Sequence, residues 1–134
     1  MIITRHITNV VETGDITAST NFEKSKSDLG VPEGGTIVAL HVFMEINTAP
    51  SSAYTLNVRP RYKDGSGSVV SSGSSIGTIS TGTATGTLSE IYPDSGVSAR
   101  LAPVAPEGVL FRFTAGSGTL NATLHATVMA EVPG

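Results

Sequence analysis

An all-β fold, an antiparallel β-sandwich of jelly-roll type with eight to ten strands and no substantial helix, is predicted by three observations. The first is alternation near the C-terminus. Leu120, Ala122, Leu124, Ala126, Val128, Ala130 and Val132 are apolar, while Thr119, Asn121, Thr123, His125, Thr127 and Glu131 between them are polar, with Met129 the exception. A period of two places the apolar row on one face of a strand. Leu120, Leu124 and Val128 also fit a helical spacing, but the threonines and the opening Gly116-Ser117-Gly118 favour the strand. The second observation is a turn signal at roughly ten-residue intervals. The third is composition: only 14% of residues are charged, against about a quarter in an ordinary soluble domain, and Ser, Thr and Gly supply the polar surface instead.

Taken in order, residues 1–11 read as a strand with Ile3, Ile7 and Val11 on one face, flanked by Arg5 and Asn9. An apolar strand at the start of a chain must find a sheet edge, in its own domain or in a neighbour, so 1–11 is a candidate strand-exchanging arm. Glu12, Thr13, Gly14 and Asp15 predict a turn, 16–22 a short strand, and Glu23, Lys24, Lys26 and Asp28 a charged loop. After the Val31-Pro32-Glu33-Gly34-Gly35 turn, residues 36–46 form a second dominant strand. Val38, Leu40, Val42, Met44 and Ile46 line one face, and the other is also mostly apolar, as in a central or interfacial strand.

Residues 54–62 alternate Tyr54, Leu56, Val58, Pro60 and Tyr62 against Thr55, Asn57, Arg59 and Arg61. Pro60 lacks an N–H, which predicts an edge position or a bulge. Asp64-Gly65 signals a hairpin into Val69 and Val70. Residues 65–88 are rich in Ser, Gly and Thr and read as a loosely packed region with short strands at 75–80 and 83–90. A turn at 92–96, a short strand at 97–101 and a turn at 103–108 follow. Val109, Phe111 and Phe113 then alternate along a strand that Gly116-Ser117-Gly118 is expected to hairpin into the last one.

The 134 residues fit one domain. Without cysteine there is no disulfide framework, thiol nucleophile or thiolate metal site. A net charge of −3 with scattered Lys and Arg argues against a nucleic-acid partner. No apolar run has the length of a spanning helix, so no membrane partner is expected, and the N-terminus lacks the build of a signal peptide.

Candidate chemistry is sparse. Gly73-Ser74-Ser75-Ile76-Gly77 spells a hydrolase elbow, but that elbow needs a helix after the turn. Asp64-Gly65-Ser66-Gly67-Ser68 has the letters of some magnesium sites, and a hairpin turn explains it better. His6, His41 and His125 lie on three strands without local ligand spacing. Glu45, Glu90 and Glu131 are acids without a recognisable partner. Arg59, Arg61 and Lys63 form a basic stripe, read as a solvated or edge-protecting face ahead of an anion site. Tyr54, Tyr62 and Tyr92 are candidates for a sugar platform or for core packing, and core packing is favoured for Tyr54 and Tyr62. No catalytic residue, cofactor or metal is expected, and the chain is expected not to be an enzyme.

The opening strand Ile2-Ile3-Thr4-Arg5-His6-Ile7, the turn from Val31 to Thr36 and the long apolar strand after it resemble the small jelly-roll virion proteins of tailed bacteriophages, particularly head decoration or cement proteins. The resemblance implies a homo-oligomer, with a trimer favoured, bound to a capsid protein lattice at the virion surface after synthesis in the host cytoplasm. Ile3, Arg5, Ile7, Arg59, Arg61 and His125 are the expected interaction residues. The alternative is a carbohydrate- or receptor-binding β-sandwich module of a tail or adhesin.

Overall fold

A computed structural model of the chain describes residues 1–17, 20–63, 65–71, 76–92 and 107–134. Among them are nine strands and no helix: β1 (Ile2–Ile16), β2 (Thr20–Ser25), β3 (Thr36–Thr48), β4 (Thr55–Lys63), β5 (Val69–Ser71), β6 (Gly77–Ser80), β7 (Gly86–Tyr92), β8 (Gly108–Thr114) and β9 (Leu120–Pro133). A four-stranded sheet has the order β1-β9-β3-β7, and a five-stranded sheet has the order β2-β8-β4-β5, with β6 also on β4. Every pairing is antiparallel. The expected all-β sandwich is the observed architecture.

The pairings nest. β1 pairs with β9, β2 with β8, β3 with β7, and β4 with β5 and β6. The chain is thus one long folded ribbon rolled on itself, which is the jelly-roll connectivity. Rolling adds the β3–β9 and β4–β8 pairings that complete each sheet.

The core lies between the sheets. β9 contributes Leu120, Ala122, Leu124, Ala126, Val128, Ala130 and Val132, all at most 5% exposed, so its alternation was a faithful guide. Phe111 and Phe113 of β8 face this row from the other sheet, whereas Val42 and Met44 lie beside Ala126 and Leu124 in the same sheet. Phe22 meets Phe113 edge-on, with ring centroids 6.2 Å apart, a favourable aromatic geometry.

Several local expectations are corrected. Residues 12–15 are not a turn: β1 runs to Ile16, and a bulge at Val11, between Val10 and Glu12, switches the inner row from odd to even positions, so that Ile16 is buried as well as Val11. The second strand accordingly begins at Thr20 and reaches Ser25, taking in Glu23 and Lys24. A further irregularity between Ile37 and Ala39 puts Ile37 in the core in place of Val38, which is half-buried. Gly116-Ser117-Gly118 does not make a hairpin, because β8 and β9 belong to different sheets. The left-handed backbone of Ala115 (φ 58°), Gly116 (φ 81°) and Gly118 (φ 80°) instead carries the chain across the sandwich. β4 is not an edge strand, but Pro60 lies beyond Val58, where β6 pairing ends, and before Arg61, where β5 pairing starts. The missing N–H falls at that break. The β4–β5 hairpin forms where Asp64-Gly65 indicated. Of the expected turns at 92–96 and 103–108, Tyr92 instead ends β7 and Gly108 opens β8, while residues 93–106, with the expected short strand, lie outside the described residues.

Candidate interaction surfaces

The outer face of the four-stranded sheet is built from the residues that alternate with the core rows. β9 presents Asn121, Thr123, His125, Thr127 and Met129 there, all half-buried by their neighbours. Cross-strand bonds tie this face together: Thr8 and Thr127 hydroxyls are 2.7 Å apart, Thr13 and Thr123 hydroxyls 2.9 Å, and Asn121 Nδ2 donates to Asp15 Oδ1 at 2.9 Å. Opposed hydroxyl pairs of this kind stabilise an antiparallel ladder.

All three histidines share this face. His6 is paired with Met129, His41 with Thr127, and His125 with both Val10 and Phe43. The His125 ring meets Phe43 edge-on at 5.5 Å, and its Nε2 is 4.0 Å from Glu45 Oε1. A small hollow of about 50 Å³ separates His6 from His41, lined also by Ala39, Thr127 and Met129. Among the described residues, no group of three His, Cys, Asp or Glu could hold a metal ion.

β1 is one edge of this sheet, and β7 is the other. The outer row of β1 exposes Ile2 (71%) and Val10 (57%). Its inner row holds Ile3, Arg5 and Ile7 opposite Val132, Ala130 and Val128 of β9. The facing edge strand β2 spans 6 residues against 15 for β1, so the start of the inner row overhangs it: Ile3 is 43% exposed and Arg5 is also exposed. Further along, the turn after β2 closes over the row, where Asn9 Nδ2 donates to the Leu29 carbonyl at 2.7 Å. The stretch 1–11 is thus an edge strand on its own chain's β9.

The outer face of the five-stranded sheet is basic. Arg59 and Arg61 alternate with the buried Val58 and Pro60 on β4, and Arg112 sits between Phe111 and Phe113 on β8. Arg61 Nη2 lies 3.5 Å from Glu23 Oε2. At one end of this sheet an open groove of about 440 Å³ is lined by Lys26, Val31, Glu33, Arg61 and Glu107, with Lys26 Nζ 3.7 Å from Glu107 Oε2. Beside it, the Ser25 N–H donates to Asp28 Oδ2 at 3.0 Å. That bond, reinforced by the Ser25 hydroxyl, holds the Asp28 carboxyl below its usual value.

Comparison with known proteins bears on the fold. No protein-family model matches the chain, and no curated protein matches its sequence. Among solved structures, the decameric BFDV capsid protein is similar at a TM-score of 0.52 and 13% identity, over 100% of each chain. A carbohydrate-binding module from the family 9 glycoside hydrolase Cel9A of Ruminococcus flavefaciens FD-1 is similar at 0.56 and 9% identity, over 92% of this chain and 97% of that one. The fold is one that a virion protein and a sugar-binding module both use. At such identities the likeness concerns architecture alone.

The six expected interaction residues fall on three surfaces: Ile3, Arg5 and Ile7 on the β1 edge, His125 on the outer face of the four-stranded sheet, and Arg59 and Arg61 on the basic face. Two associations escaped the sequence reading. Arg112 joins the arginines of β4, and its position between Phe111 and Phe113 was the available signal. The common face of the histidines was hidden because it depends on which strands pair. Tyr54 is buried at 3% exposure, with its hydroxyl donating to the Gly118 carbonyl at 2.7 Å, and Tyr62 belongs to the inner row of β4. These two form no outward platform, and the side chain of Tyr92 lies outside the described residues. In the Gly73 to Gly77 motif, the described end runs into strand β6 rather than a helix, and Asp64 of the other motif lies outside the described residues.

Proposed function

We propose that the chain is a non-enzymatic virion structural protein of the decoration or cement kind, self-associating into a homo-oligomer, with a trimer favoured, and binding a capsid lattice at the virion surface. The observation that carries this reading is the edge strand β1. Monomeric proteins protect sheet edges with short strands, charged side chains, proline, bulges or a covering element. β1 is 15 residues long and contains neither lysine nor proline, and although Arg5 charges it and a bulge bends it at Val11, the stretch before that bulge stays extended and exposes Ile2, Ile3 and Val10. Such an edge is a template for pairing with another copy. The capsid protein that shares the fold is itself decameric, which supports an assembling role.

Native mass measurement at micromolar concentration tests the reading. The wild-type chain is expected to form a discrete oligomer, and Val10→Lys to yield a monomer with unchanged β-type circular dichroism. A strictly monomeric wild type with no affinity for any capsid would refute it. The second reading, a carbohydrate- or receptor-binding module, draws on the shared fold of the sugar-binding module and on Phe43, half-buried beside His125 on an outer face. Glycan-array binding that disappears in Phe43→Ala would select it over the first.

A further inference from the structure

Along β1 the backbone groups divide into those bonded to β9 and those turned outward. The Gly134 N–H donates to the Met1 carbonyl at 2.7 Å, and Ile3, Arg5, Ile7 and Asn9 continue the same register against β9. Bonded and non-bonded pairs alternate along an antiparallel ladder. The odd residues therefore bond to β9, while Ile2, Thr4, His6, Thr8 and Val10 turn their N–H and C=O groups away from it. Pro133, which has no N–H, stands opposite Ile2 at a non-bonded pair, in keeping with this assignment. β1 has no strand on its other side in the sheet.

These same residues form the outer row of β1, and each of them is exposed. The row has one character read from either end: β-branched apolar, threonine, histidine, threonine, β-branched apolar. A contact about a twofold axis uses the same patch on both copies and so demands a self-complementary surface. A row symmetric about its middle residue supplies one.

We propose that β1 pairs antiparallel with β1 of a second copy about a twofold axis at His6. Ile2 then stands opposite the partner's Val10, Thr4 opposite the partner's Thr8, and the two His6 residues face each other. Each outward N–H and C=O from Ile2 to Val10 finds a partner, and apolar and threonine cross-strand pairs add to the ladder. Neighbouring registers fit worse. An axis at Arg5 leaves Val10 unmatched and sets two arginines directly opposite, which is destabilising. An axis at Ile7 puts Val10 opposite Thr4 and carries Ile2 past the partner's bulge.

The inner row agrees with the same axis. The turn after β2 closes over Ile7 and Asn9, since a Cβ on Gly30 would lie 2.8 Å from Ile7 Cγ2 and 3.4 Å from Asn9 Nδ2. Ile3 and Arg5 are left exposed. In the twofold pair Ile3 stands opposite the partner's Asn9 and Arg5 opposite the partner's Ile7, so the bare end of each strand lies beside the covered end of the other. Arg5 meets its counterpart only diagonally. The partner's turn carries the exposed Asp28, of opposite charge, while Lys26 in that turn is engaged with Glu107. The pairing rests on the reading of β1 as the self-association edge and commits that edge to two copies, where a trimer would need β1 to meet a different strand.

Single cysteines placed in this cysteine-free chain test the register. Bonded antiparallel positions lie about 5.5 Å apart between Cα atoms, within the span of a disulfide. Under mild oxidation at micromolar concentration, His6→Cys is expected to give a covalent dimer. Thr4→Cys alone should not, because its two copies lie roughly 13 Å apart along the strands, whereas Thr4→Cys mixed with Thr8→Cys should give the mixed dimer. Val69→Cys, on the five-stranded sheet, controls for chance collision and should stay uncrosslinked. The native mass of the wild type should be that of a dimer. An oligomeric wild type without preferred crosslinking of His6→Cys, or a trimer that dissociates in Val10→Lys, would overturn the twofold pairing and leave the assembly reading standing. A strictly monomeric wild type would overturn both.

Discussion

Leu124 and Gly116 show how differently single residues constrain this sandwich. Leu124 is fully buried in the middle of β9, between Met44 and the bulge of β1. Leu124→Asp buries a charge with no partner and should cost several kcal/mol; a fully folded variant with an unshifted denaturation midpoint would refute its core placement. Gly116 has φ 81°, and a Cβ there would run into the Tyr54 ring. Gly116→Ala should therefore lower the midpoint clearly, whereas Gly65→Ala should be nearly neutral because nothing lies within 4 Å. Asp28 supports a pH prediction. Its folded-state carboxyl is more acidic than an ordinary aspartate, chiefly through the Ser25 N–H. The ion favours the folded state above the unfolded-state value, and that contribution fades as pH falls through the lowered folded value. Asp28→Asn should be less stable than wild type at pH 6, and the difference should shrink in strongly acidic buffer. A difference independent of pH in thermal melts would rule out this origin.

Among the elements, legibility in the sequence tracked how local each signal was. β9 was readable because its seven buried positions repeat every two residues without interruption. β1 and β3 were readable as strands, but their bulges were not, since the extra residue at Val11 or Val38 is defined only against a partner strand. The crossover at residues 115–119 has the composition of a hairpin, and local turn chemistry cannot say which sheet the next strand joins. The basic face was half visible for the same reason: alternation displayed Arg59 and Arg61, while Arg112 needed the β4–β8 register. β1 yields its own prediction. Residues 2–10 pair with β9, and Val11 in the core and Ile7 packed against it belong to the same stretch, so deleting residues 1–11 should unfold the domain rather than merely dissociate an oligomer. Retained β-type circular dichroism with lost assembly would instead show that residues 1–11 serve a neighbouring copy.

For the molecule as a whole, nesting orders the cost of folding. The β4–β5 hairpin joins residues as close in sequence as Lys63 and Val69, whereas β1–β9 joins Ile2 to Pro133. Closing a loop costs more entropy as it lengthens, and long-range pairing is slow for that reason. The inner turns of the roll should form first and provide the surface on which β1 and β9 later dock. An all-β sandwich of this kind should fold in roughly milliseconds to seconds. Within that transition, Leu56→Ala in β4 should slow folding, with a φ-value of about 0.5 or more, while Val128→Ala in β9 should mainly speed unfolding, with a φ-value below about 0.3. Both side chains are fully buried, so each substitution should change stability enough to be read kinetically. The reverse order of φ-values would mean that the outer strands nucleate the roll. β1 would then be native-like early, and its exposed edge would be open to a second copy before the rest of the sandwich had closed.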